Sequence, residues 1–262
     1  MKEIKLVEEK LYTARWHLQK AIESNDYGKI LDQAADLIAE AKALSITSEP
    51  DRPSQAAPVL VETSSTKNYT IPKIEVVPGV RYKSPGKFRT KSGKNKGVVV
   101  HYTVSGRSPK NAQGVVGYLA KEGLGCMVMD ENGTIHIPQG FDIDETVAYH
   151  AGKSEWKGST SISMLCAGME ICGWGKDSKV GPYRSSESKA NIKKGKYQTY
   201  TEAQEKALIN YCLWQLDVNP EFSIDWIVGH DEIAPSRKSD PGASLSMTMP
   251  ELRAKIKLLA GK

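Results

Sequence analysis

GVVVHYT, residues 97–103, is a short apolar, β-branched run leading into a histidine. Such a run reads as a buried strand, with His101 at its mouth. IDWIVG (224–229) has the same character and is followed at once by His230. Around these two strands, helix and strand signals alternate from about residue 81 onward. Pro109 to Glu122 reads as a helix closed by Gly123, although Gly114 and Gly117 weaken it. Residues 125–129 and 134–137 flank Asp130-Glu-Asn-Gly133, whose Asn-Gly pair signals a hairpin. Residues 162–172 give a further strand. Thr201 with Gln204 forms a capping box, ahead of an apolar face of Ala207, Leu208, Tyr211, Cys212 and Leu216. Pro250 opens a last helix with Leu252, Ile256 and Leu259 on one stripe. The fold class expected is α/β, a mixed central β-sheet flanked by helices.

The N-terminal part differs in kind. Ile4, Val7, Leu11, Ala14, Leu18 and Ala21 recur at helical spacing, as do Ile30, Ala34, Leu37, Ala41 and Leu44. Residues 1–45 therefore read as a helical hairpin, too small to stand alone, serving as a packing element or as a wall- or partner-binding module. Residues 46–80, with prolines at 50, 53, 58, 72 and 78, read as a Pro/Ser/Thr-rich linker. The remaining domain is 81–262.

The chain has 262 residues, 39% hydrophobic and 26% charged, with a mean hydropathy of −0.44. No apolar run approaches the length of a membrane span, so stable membrane insertion is not expected. MKEIKLVEEKLY lacks the apolar core of a secretory signal, which points to synthesis in a cytoplasm. The four cysteines (126, 166, 172, 212) lack metal-finger spacing, and Cys166 and Cys172 read as small core residues. Residues 81–96 carry seven basic side chains and no acid. This is a solvated loop or an attraction to a polyanion such as nucleic acid, anionic lipid or cell-wall polymer. Only Tyr82 and Phe88 interleave it, so no nucleic-acid partner is expected.

Two strand-end imidazoles and the carboxylate of Asp240, in GHDEIAPSRKSDPG (229–242), form a donor set suited to one catalytic Zn2+ with a position left for water. Glu170, in AGMEIC, alternates with Gly168 and Cys172 on one strand face and sits between Met169 and Ile171. Partial desolvation would raise its pKa towards that of a general base, unless a salt bridge holds it. Lys238 lies two residues before Asp240. In an extended loop its ammonium points the same way, towards a developing oxyanion, unless it is simply solvated. His17 and His136 read as structural.

With these pieces in place, residues 97–242 resemble the zinc-dependent N-acetylmuramoyl-L-alanine amidases of type 2, the family of peptidoglycan-recognition proteins and amidase-type phage lysozymes. The resemblance rests on VVVHYT, LGCMVMDENGT, YHAG (149–152), AGMEI and the H-x7-K-x-D-P-G run, in that order. It implies metal ligation by His101, His230 and Asp240, catalysis by Glu170 and Lys238, and substrate contact by His150, which is also the alternative ligand. The reaction implied is hydrolysis of the amide between N-acetylmuramic acid and L-alanine in peptidoglycan. Gly125-Cys126 stands where some members carry a tyrosine, and position 240 is Asp rather than Cys. The lysine-rich insert 174–197 reads as a groove-edge loop. An auxiliary module before a wall hydrolase resembles a bacteriolytic phage endolysin, made in the host cytoplasm and acting at the cell wall. A virion-borne or recycling amidase, a non-catalytic peptidoglycan-binding module and a zinc peptidase cutting within the stem peptide are the alternatives.

Overall fold

The computed structural model describes residues 69–82, 93–125, 127–186 and 192–261. The helical hairpin expected over 1–45, His17 within it and most of the linker lie outside the described residues. The architecture described is a six-stranded mixed sheet with helices packed on it.

The strands are β1 (Ile74–Arg81), β2 (Gly97–Tyr102), β3 (Met127–Met129), β4 (Ile135–Gln139), β7 (Cys166–Ile171) and β10 (Ile227–Gly229). The order across the sheet is β1-β4-β3-β7-β2-β10. Four neighbours, β3, β7, β2 and β10, run parallel; β4 returns antiparallel to β3 through the Asn-Gly hairpin. Two small ribbons, β5 (Glu155–Trp156) with β6 (Ser159–Thr160) and β8 (Tyr183–Ser186) with β9 (Gly195–Gln198), sit in the connections. The helices are α1 (Pro109–Glu122), α2 (Glu202–Val218), the single turn α3 (His230–Ile233) and α4 (Met249–Leu259).

Local chemistry sets the helix ends. Ser108 Oγ accepts from the Asn111 N–H ahead of α1, and Gly123 closes that helix at φ 68°. Ala112, Val116, Leu119 and Ala120 form its buried stripe, so the core overrides the two interior glycines. In α2 the Thr201–Gln204 capping box is present. Gln204 does double duty, because its Nε2 also donates to the Cys172 carbonyl and ties α2 to the end of β7. Thr248 and Glu251 cap α4, which buries Met249, Leu252 and Ile256.

The period-2 alternation of β2 and β7 gives the sheet two different faces. Val98, Val100, Ala167, Met169 and Ile171 belong to the main core with α1, α2 and α4. Each valine, methionine or isoleucine among them, fully buried, contributes about 1.5–3 kcal/mol. Val99 and Cys166 face the other way, into a smaller cluster with Val228, Ala151, Ile162 and Ile233. The register pairs His101 with Glu170, so both stand on this second face at the carboxyl ends of parallel strands. Ligands of open α/β sheets bind at that end.

Three local readings differ from expectation. Composition assigns residues 74–80 to the linker, but Ile74–Arg81 is a strand pairing parallel with β4 at the sheet edge. Its register breaks between Val77 and Arg81, where Pro78 falls. Edges and bulges are the places where a strand tolerates proline. Residues 162–164 and 224–226 form 3-10 turns leading into shorter strands. His230 opens a helical turn instead of a loop, because Glu232 accepts from the Gly229 N–H and caps it.

Candidate functional site

His101 and His230 end neighbouring parallel strands, and Asp240 returns to them from the following loop. The Asp231 N–H donates to the Asp240 carbonyl at 2.7 Å, and Tyr102 Oη and Ser239 Oγ share a 2.6 Å hydrogen bond, so the loop is tied to the strand ends. The Asp240–Pro241 peptide is cis. Three donor atoms converge here. His101 Nδ1 lies 2.8 Å, and His230 Nδ1 3.0 Å, from the same carboxylate oxygen, Asp240 Oδ2. The two rings are nearly perpendicular with centroids 4.5 Å apart. The three residues are 2%, 2% and 7% exposed, so little water competes for their lone pairs. Among the described residues they are the one His/Cys/Asp/Glu group arranged to hold a metal ion.

The donor set fits a zinc ion in chemistry as well as position. Both Nε2 atoms are already engaged, His101 by His150 Nδ1 at 3.0 Å and His230 by the Ala151 carbonyl at 3.1 Å. Metal-ligating histidines characteristically use the far nitrogen in this way, which fixes ring orientation. Burial lowers the pKa of His101 despite the Asp240 carboxylate, favouring the neutral imidazole that a metal needs. Burial opposes the charge on Asp240. While no metal occupies the site, protons on the Nδ1 atoms of His101 and His230 outweigh it, through hydrogen bonds and charge, and hold the group well below the usual carboxylate range.

Glu170 is half-buried beside this group. Burial first, and then the charge of Asp240, push its pKa up to about 8, while Lys238 pulls the other way. Lys238 also bears on His101 electrostatically, so its ammonium looks onto both. A glutamate that exchanges a proton near neutrality, a cation beside it and a buried His-His-Asp set can together activate water and accommodate a developing oxyanion.

His150 is expected against substrate. Here both its ring nitrogens are engaged by protein, Nδ1 by His101 and Nε2 by the Cys166 carbonyl at 3.0 Å. His136 is remote, as expected of a structural histidine: it pairs with Asp130 Oδ2 at 3.0 Å, and Asp130 Oδ1 accepts from Asn132 and Thr134 in the hairpin. The cysteines described, Cys166, Cys172 and Cys212, are buried, and burial raises the Cys172 thiol to about 11. The insert carries the β8–β9 ribbon. Arg184 in it donates to the Ala243 carbonyl, just beyond the ligand loop.

Several supports were not legible beforehand. Arg237 donates to the carbonyls of Ala151 and Lys153, Ser163 Oγ accepts from the N–H groups of His150 and Ala151, and Tyr200 Oη donates to the His101 carbonyl. These bonds reach across 12 to 99 residues of chain, and nothing local announces them.

A parallel-strand edge bearing this donor set, with a glutamate and a lysine beside it, has the parts that metal-assisted hydrolysis needs. Residues 91–243, more than half of the chain, match the model of the N-acetylmuramoyl-L-alanine amidase family. The chain belongs to that family and is an amidase of that kind. No curated protein sequence matches it. Solved structures resembling it include AmpD (18% identity, 72% of this chain and 96% of that one, TM-score 0.42). AmiD from E. coli follows at 22% identity, with 67% and 61% covered and a TM-score of 0.45. AmpDh3 from Pseudomonas aeruginosa is 24% identical, with 68% and 64% covered and a TM-score of 0.42.

Proposed function

We propose that this amidase is a zinc enzyme acting on peptidoglycan, with His101, His230 and Asp240 as ligands of one Zn2+, Glu170 as the proton carrier and Lys238 as the oxyanion partner. The observation that carries the reading is the convergence of three buried donor atoms beside a glutamate whose pKa lies near neutrality. Zinc, when bound, supplies a water of lowered pKa and polarises the scissile carbonyl. Glu170 takes the proton of the attacking water and later delivers it to the leaving amine nitrogen as the lactyl C–N bond breaks. Lys238 balances the negative charge that gathers on the carbonyl oxygen. Burial around the donor set excludes competing water and strengthens each of these interactions.

The substrate reading rests on the family match over residues 91–243. Among the structures resembled, AmiD was solved with anhydro-N-acetylmuramic acid-L-Ala-D-γ-Glu-L-Lys, and AmpDh3 with an anhydromuramic pentapeptide. We take the cellular role to be that of a phage endolysin, on the strength of the amphipathic segment preceding the amidase domain. The experiment is digestion of purified walls with zinc-loaded protein, followed by mass spectrometry. Release of intact peptides beginning at L-alanine is expected. Cleavage within the stem peptide, or undiminished digestion after chelation, would refute the reading.

A further inference from the structure

His150 touches the donor set without giving it an atom, and its hydrogen-bond partners determine where the protons lie. The Cys166 carbonyl, 3.0 Å from His150 Nε2, can only accept, so Nε2 carries a hydrogen. A neutral imidazole protonated there has a bare Nδ1. The atom facing that lone pair, His101 Nε2 at 3.0 Å, must then be the donor. With its hydrogen on Nε2, a neutral His101 leaves Nδ1 bare, 2.8 Å from Asp240 Oδ2. His230 reaches the same state directly, since its Nε2 faces the Ala151 carbonyl. Two bare imidazole nitrogens and a carboxylate oxygen then point at one place, which is favourable only around a cation.

We infer that His150 is a positioning residue: the chain Cys166 carbonyl, His150, His101 holds His101 in its Nε2–H tautomer and reserves Nδ1 for the metal. The inference rests on the zinc reading above. The opposite tautomer puts a hydrogen on His101 Nδ1. It requires either a charged His150 or a bare His150 Nε2 facing a carbonyl oxygen.

The surroundings hold His150 in place for this. The backbone N–H groups of His150 and Ala151 both donate to Ser163 Oγ, at 3.1 and 2.9 Å. Room for the ring comes from a missing side chain: a Cβ on Gly168 would lie 2.6 Å from His150 Cγ. Strand β7 therefore supplies both the accepting carbonyl, at Cys166, and the gap, at Gly168.

The test is the zinc affinity of the full-length protein near neutral pH, measured by competition with a chromogenic chelator. His150→Leu keeps the bulk and removes the acceptor, and is expected to weaken zinc binding about 10–100-fold. His150→Gln presents an amide oxygen towards His101 and an amide N–H towards Cys166, and is expected to recover most of that loss. Unchanged affinity in the Leu variant overturns the inference, as does a Gln variant no better than Leu, which would mean that packing alone matters. Absence of zinc binding in the wild type overturns the zinc reading itself. An independent measurement needs no variant: 15N NMR of the zinc-loaded wild type is expected to show hydrogens on Nε2 of both His101 and His150. A nitrogen–nitrogen coupling should then connect His101 Nε2 to His150 Nδ1. A hydrogen on His150 Nδ1 would refute the relay whatever the affinities.

Discussion

Replacing Glu170 by glutamine exposes what the site asks of that carboxyl before any substrate is present. In the metal-free protein its pKa stands at about 8 against an ordinary value of 4.5, because burial and the neighbouring Asp240 charge disfavour ionisation. The unfolded chain loses this proton near pH 4.5, whereas the folded protein keeps it until about pH 8. Over that window the native state binds more protons, so stability falls as pH rises, and the fall ends once both states are ionised. The shift corresponds to an upper bound of about 5 kcal/mol, and water reaching a half-buried carboxyl reduces this to about 1–3 kcal/mol. The Glu170→Gln variant has no proton to lose at this position. Urea denaturation of both metal-free proteins between about pH 5 and 9 gives a difference from which other titrating groups cancel. The wild type is expected to lose about 1–3 kcal/mol relative to the variant over this range. Parallel profiles would show that Glu170 is not held protonated. With zinc restored, Glu170→Gln is expected to retain the metal and lose about 10²–10⁴ in rate. A near-wild-type rate would remove Glu170 from the chemistry.

Asp240→Ala is expected to lose zinc and activity together, because it removes the one atom on which both imidazoles converge; metal analysis of the purified variant beside dye release from labelled walls checks this. Lys238→Met is expected to keep zinc and lose about 10²–10³ in turnover, measured on soluble muropeptide, as for removal of an oxyanion donor. Removing residues 1–68 is expected to preserve turnover on soluble fragments while weakening attack on whole walls, if the N-terminal segment targets the enzyme. The cut belongs before Tyr69, whose Oη donates to Asp217, and well before β1 begins at Ile74. Equal activity on both substrates before and after truncation would count against targeting.

The elements that were legible in the sequence are those whose signals are local. A β-branched run is a strand wherever it falls, and β2 and β10 were found that way. Thr201 caps its helix through a bond only three residues long, and Gln204 returns one to it. Strand β1 was missed because Pro78 argues against pairing, and only its place at the sheet edge makes that proline harmless. The helical turn at His230 went unseen for a related reason. Glu232 is held in its capping position partly by Arg253, which forms two hydrogen bonds to it from a helix 21 residues on.

The site divides along the same line. His101, Glu170 and His230 were readable because each sits at or near a strand end, and parallel pairing brings those ends together without further instruction. His150 was readable as a member of the site, whereas the positioning role inferred for it rests on a carbonyl 16 residues away and an imidazole 49 away. Sequence reports which side chains are able to ligate a metal. Which nitrogen of an imidazole does so is set by whatever holds the other one, and in a sheet-edge site those partners come from loops with no signal of their own. The glycine at 168 marks the difference. Read along the strand it is a weak spot, and only the imidazole packed over it gives a reason for the absent side chain.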